Sequence, residues 1–216
     1  MKRIYSISLV MLIALLCINK TSFAQTKMSL GPVIGFNYNT HSGSDVSDQL
    51  TGFGLVAGGQ LDMQFNPNIG LIINLMFYDN RSATNTRTIS YLDMDVSEDV
   101  TENIAYFSIE PLLKIAIPRS GFYFVFGPSI GFNEDATEEI TETLPSGNQT
   151  KTKTTLNNLL ARFELKFGAG CDVPISRDVS LTPQLTFGYG ATNVQSDVDW
   201  KIQTLQASIV LKFRLN

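Results

Sequence analysis

The sequence predicts an all-β protein: an eight-stranded antiparallel up-and-down barrel that spans a membrane, preceded by a cleaved signal peptide. Three observations predict it. Apolar and polar residues alternate with a period of two in about eight separate runs. The links between runs alternate between tight turns and long polar segments, the layout of an outer-membrane barrel. The chain also opens with an export-like leader.

The leader comes first. Lys2 and Arg3 precede an apolar run at residues 9–18, and Ser22, Phe23 and Ala24 end it with small residues at the two positions a signal peptidase reads. Residues 1–24 are therefore expected to be a signal peptide and residues 25–216 the barrel domain. The apolar run falls short of the roughly 20 residues a spanning helix needs. Cys17 follows Leu16, where a lipid-attachment motif wants a small residue. Cleavage leaves Cys171 as the one remaining cysteine, so no internal disulfide staples the mature chain. Lys2, Arg3 and Lys20 leave with the leader, which takes the net charge from −4 to −7. That balance argues against nucleic acid as a partner.

The first run places Met28, Leu30, Pro32, Ile34, Phe36 and Tyr38 on one face. The second places Phe53, Leu55, Ala57, Leu61, Met63 and Phe65 there, and the third Ile69, Leu71, Ile73, Leu75 and Phe77. The fourth extends from Ala105 to Ile117. The fifth is GFYFVFGPSIGFN, residues 121–133, with Phe122, Phe124, Phe126, Ile130 and Phe132 on the apolar face. The sixth runs from Ala161 to Val173, the seventh from Val179 to Tyr189 and the eighth from Leu205 to Leu215. Tight turns fall at residues 66–68, 118–120 and 176–178. Long polar segments fall near residues 40–51, 80–102, 134–157 and 191–201.

The opposite face is rich in Gly and polar groups. Two barrels fit this pattern: a soluble one with the apolar face inward, and a membrane one with it outward. Volume decides between them. An eight-stranded barrel is just wide enough for its own side chains, so about forty large apolar residues do not fit inside. The apolar face is therefore expected to meet lipid. The lipid-facing aromatics Phe36, Tyr38, Phe53, Phe77, Phe132, Tyr189 and Trp200 fall near the long-loop ends. Phe65, Phe122 and Phe213 fall near the turn ends, so two interfacial girdles are expected.

The same register points Asp62, Glu110, Lys114, Arg162, Glu164, Lys166 and Lys212 into the lumen. A narrow lumen does not hold unpaired charges cheaply, so a salt-bridge network plugging the barrel is expected. A conduction path is the rival reading.

Other chemistry is sparse. His41, the single histidine, sits beside Ser42, Ser44 and Asp45 in the first long segment. A lipid-modifying site could be assembled from these residues, but loop residues so close in sequence rarely hold triad geometry. GFGLVA at residues 52–57 opens a strand, not a helix, which removes the phosphate-binding context. The acidic residues of the second and third long segments form no calcium-loop pattern and read as a solvated surface. No cofactor, metal or catalytic residue is expected. The last strand ends on Phe213, Arg214, Leu215 and Asn216, close to the terminal signal read by the barrel-assembly machinery, whose usual last residue is aromatic.

YFSIEPLLK at residues 106–114, GPSIGF at residues 127–132 and FGAG at residues 167–170 resemble the PorT-like group of outer-membrane β-barrels common in Bacteroidetes-type bacteria. The fold is similar to the OmpA and OmpX barrels. The resemblance implies an integral outer-membrane, non-enzymatic protein of the Gram-negative envelope, with periplasmic termini and extracellular long loops. It implies a structural role, or an accessory role in an envelope or protein-secretion complex. It supplies no catalytic residues. The partners expected are outer-membrane lipid, the assembly machinery during insertion, and envelope or secretion-complex proteins. Three further readings remain at this point: a surface interaction or adhesion protein acting through the acidic loops, a lipid-modifying enzyme using His41, and a small porin-like pore.

Overall fold

Alternating Val, Ile, Phe and Thr positions favour extended backbone, where side chains stand on opposite faces and pack across strands. The computed structural model describes residues 27–44, 50–91, 94–196 and 198–215. The expected signal peptide and the side chains of Cys17 and Asp45 lie outside the described residues. Among the described residues eleven strands form in chain order: β1 (Lys27–Ser42), β2 (Leu50–Gln64), β3 (Ile69–Asn80), β4 (Ala83–Tyr91), β5 (Met94–Ala116), β6 (Phe122–Thr143), β7 (Gln149–Thr155), β8 (Arg162–Cys171), β9 (Val173–Pro174), β10 (Val179–Gly190) and β11 (Lys201–Leu215).

Eight of these close a ring, with β1 pairing both β2 and β11. The circuit continues β2, β3, β5, β6, β8, β10 and back to β11. Every pairing is antiparallel, and each of the eight alternating runs supplies one ring strand. Closure leaves the ring itself without an edge, the condition for backbone in hydrocarbon.

The tight turns have local causes. The side-chain oxygen of Asn66 accepts from the backbone N–H groups of Asn68 and Ile69, both at 2.9 Å. The β5–β6 turn needs positive φ at Arg119 (66°) and Gly121 (77°), and glycine supplies the second without steric cost.

The long segments differ from the sequence expectation. Residues 80–102 and 134–157 are not loops. They form the hairpins β4–β5 and β6–β7, and the upper parts of β5 and β6 pair with each other. The result is a four-stranded sheet, β4–β5–β6–β7, rising from the ring. β5 has 23 residues and β6 has 22, about twice the 9–11 that cross a membrane. Thr dominates these segments, and its β-branch favours strands, but Thr alternating with charge carries no hydrophobic period.

The apolar face points outward, with Ile34, Phe53 and Leu55 each at least 66% exposed. Neighbouring strands pair aromatics there, as in Tyr38–Phe53 and Phe167–Phe187, both 5.2 Å between centroids. Inside, polar and charged side chains share the ring with two apolar clusters, Val33, Val56, Met76 and Val210 in one and Ile72, Leu112, Tyr123 and Val125 in the other. An apolar cluster of Ile104, Tyr106, Ala136, Val194, Trp200 and Ile202 closes the long-loop mouth.

Candidate functional site

Among the described residues, chemistry-bearing side chains converge in the lumen, which is built in tiers. Nearest the turns, Lys114 and Lys212 lie between two aspartates. Lys114 donates to Asp62 at 2.7 Å and to Asp172 at 2.9 Å. Lys212 donates to the same pair at 2.6 and 2.8 Å. The Tyr123 ring sits under both ammonium groups, 4.4 Å from one and 5.2 Å from the other.

In the middle tier, Lys166 donates to Glu110 and, at 2.9 Å, to Gln206. Asn74 donates to the second Glu110 oxygen at 3.0 Å. Gln60 bridges Asn74 and Gln184, and Gln184 donates to the Tyr123 hydroxyl at 2.6 Å, which ties this tier to the one below.

The upper tier centres on Asp79. It accepts from Arg81 at 2.8 Å and from Arg162, Ser108 and Asn37 at 2.9 Å each. Glu164 lies 3.4 Å from Arg162 and 3.8 Å from Arg81, so carboxylates and guanidiniums alternate around a square. Arg162 also stacks on Tyr106 at 4.5 Å.

All seven lumen residues expected from the register are thus buried, five of them in the linked lower and middle tiers and Arg162 and Glu164 in the upper one. Three further members were not among the seven. Asp79 and Arg81 follow a β-bulge between Met76 and Asp79, which turns both Phe77 and Tyr78 outward and flips the parity of everything beyond. Asp172 sits between β8 and β9, at an inward position of the sixth run that the expectation passed over. With these included, Asp62, Asp79, Glu110, Glu164 and Asp172 face Arg81, Lys114, Arg162, Lys166 and Lys212. Five acids meet five bases, so the charges of these ten side chains balance.

Nine expected girdle aromatics point outward: Phe36, Tyr38, Phe53, Phe65, Phe77, Phe122, Phe132, Tyr189 and Phe213. Trp200 does not, and this corrects the sequence expectation. It is 4% exposed, in the apolar cluster at the mouth. The reason is parity: Trp200 shares a face with Ile202, Thr204 and Gln206, all inward, whereas the outward face of β11 carries Leu205.

His41 is likewise not a loop residue. It lies on β1, fully buried, with its ring 5.6 Å from Trp200. Its Nδ1 is 2.6 Å from Glu102 and its Nε2 is 3.0 Å from the Arg81 carbonyl. A carbonyl only accepts, so Nε2 donates. Neither nitrogen is left to activate a hydroxyl. Ser42 stands on the opposite face of β1, and Ser44 hydrogen-bonds Asp199 at 3.1 Å instead.

Above the ring, Glu102 neighbours Glu138 across the β5–β6 pairing. Burial raises the Glu138 carboxyl above its ordinary value, and the charges of Glu102 and Glu98 add to that. Asp199 goes the other way: the Ser44 backbone N–H and the Lys201 ammonium hold it low.

Among solved structures, the chain is similar to Ail of Yersinia pestis at 14% identity, covering 87% of this chain and 98% of that one with a TM-score of 0.36. It is similar to Neisserial surface protein A at 12% identity, with coverage of 85% and 97% and a TM-score of 0.40. It is similar to OprG from Pseudomonas aeruginosa at 10% identity, with coverage of 88% and 96% and a TM-score of 0.41. Comparison with curated proteins finds no match. The model of the outer membrane protein beta-barrel domain matches residues 23–196, most of the ring and all of the raised sheet. The chain belongs to that outer-membrane β-barrel family.

Proposed function

We propose that this protein is a plugged, non-enzymatic outer-membrane barrel that holds the β4–β7 sheet at the cell surface as a contact for an envelope or secretion-complex partner. The single observation that carries this is the filled lumen. Each buried cation is held by at least one carboxylate, and an apolar cluster shuts the mouth above them. An ion crossing such a lumen would have to break buried pairs, each break costing about 3–5 kcal/mol. The barrel's interior serves its own stability, and what remains for function is the sheet above it.

The reading includes an orientation: short turns and periplasmic termini on one side, the long strands extending outward on the other, and the outward aromatics at the two lipid interfaces. Insertion proceeds through the barrel-assembly machinery, which reads the last strand. The PorT-like stretches favour an accessory role in secretion over a purely structural one.

Deleting the gene in the native host, followed by quantitative proteomics of culture supernatant and outer membrane, tests the reading. A defined set of exported proteins is expected to fall in the supernatant and accumulate in the periplasm. An unchanged supernatant overturns the accessory role.

A further inference from the structure

The ring has no edge, but the raised sheet does. β7 (Gln149–Thr155) pairs with β6 on one side and, among the described residues, with no strand on the other. All seven of its residues are exposed. An extended strand with one open side presents a row of backbone donors and acceptors ready to pair.

The composition of that edge is specific. It reads QTKTKTT, with Lys151 and Lys153 on one face and no acid, in a chain whose net charge is −4. Lys153 stands opposite Glu139, yet Glu139 bonds Lys151 at 3.0 Å, and the Lys151 side chain remains 65% exposed. Glu139 is thus engaged with Lys151, and the positive charge here is confined to β7 itself, which carries two ammonium groups and no carboxylate beside the acidic β6.

That charge decides between occupants. Antiparallel pairing of two copies centred on Thr152 puts Lys151 opposite Lys153. Centring on either lysine puts that lysine opposite itself. Like charges directly opposite destabilise a strand pair, so these registers work against self-association. A segment with carboxylates at alternate positions meets both lysines and completes the backbone ladder.

We propose that the open edge of β7 binds an extended acidic peptide segment of a partner protein, which adds to the β4–β7 sheet as a further strand. Main-chain hydrogen bonds hold the segment, and carboxylates two residues apart meet Lys151 and Lys153. This rests on the contact role argued above and names the chemistry of the partner.

The test uses the full barrel in detergent and a fluorescent, terminally blocked peptide alternating Thr and Glu, matched to β7 in length. Fluorescence anisotropy is expected to show saturable binding. The double variant Lys151→Glu, Lys153→Glu is expected to weaken it by about tenfold, since two cross-strand charge pairs are reversed. Heat-modifiable gel mobility reports that the ring, which does not include β7, still forms. Two further peptides carry N-methyl groups on odd or on even residues. A strand paired on one side loses binding with one set and keeps it with the other. Absent binding, equal binding of both methylated peptides, or a concentration-dependent dimer that blocks the peptide each overturns the proposal. If the gene deletion traps exported proteins while the double variant secretes normally, the edge proposal fails and the accessory role stands.

Discussion

Gly58 and Gly59 are adjacent and chemically identical, yet the fold constrains them in opposite ways. A Cβ on Gly58 would sit 2.2 Å from the Leu75 carbonyl oxygen and 2.7 Å from the Met76 Cα. Both obstacles are backbone of β3, beside the β2–β3 register shift, so they do not swing aside. A Cβ on Gly59 would meet nothing within 4 Å. Gly58→Ala is expected to destabilise the barrel by about 1–3 kcal/mol, an overpacking cost, and Gly59→Ala to stay within about 0.5 kcal/mol. Urea unfolding followed by tryptophan fluorescence checks both, since Trp200 is buried at the mouth. Equal effects would show that glycine is needed for its flexibility rather than for the close approach of two strands. Period-two alternation puts Gly58 on the face opposite Phe53, Leu55 and Ala57. It could not show that the obstacle is the neighbouring strand's backbone.

At the scale of elements, the raised sheet is the part that sequence periodicity concealed. Its Thr-rich strands alternate hydroxyls with charge, so the apolar signal that marks the eight ring strands vanishes above the ring. Its acids have a consequence for pH. Glu138 holds its proton more readily in the folded sheet than in the unfolded chain, because burial and the neighbouring carboxylates raise it above 4.5. The folded state therefore binds more protons than the unfolded state, and stability falls as pH rises from 4.5 through the raised value. Glu138→Gln removes that loss. The variant is expected to melt above the parent at pH 7, with the gap closing as pH falls toward 4.5, when both are followed by circular dichroism in detergent. A constant gap across pH would assign the effect to packing rather than to ionisation.

For the whole molecule, the balance between the paired lumen charges is the organising condition. Asp79 takes two guanidiniums and two neutral donors, so removing it strands charge from β3 to β8. Asp79→Ala is expected to cost about 3–5 kcal/mol, the range for breaking a buried pair. Chemical unfolding from detergent gives the number directly. A cost below about 1 kcal/mol would mean that water enters the upper tier and that the plug is looser than its contacts indicate.

Period-two alternation determined eight ring strands and which residues share a face, because side-chain direction in a strand depends on parity, and the narrow bore then turned the apolar face outward and seven charges inward. Parity fails where a bulge inserts a residue, which is why Asp79 and Arg81 were missed. Parity itself puts Asp172 and Trp200 inward; Asp172 was passed over, and Trp200 was assigned to lipid from its place near the long-loop ends although it packs on His41. Only the tertiary structure decided which acid meets which base, because these pairs join strands far apart in sequence. It also decided that His41 is a buried partner of Glu102 rather than a loop residue. The two long polar segments became a sheet for the same reason: their pairing comes from β5 and β6 continuing past the ring together, a contact no local pattern records.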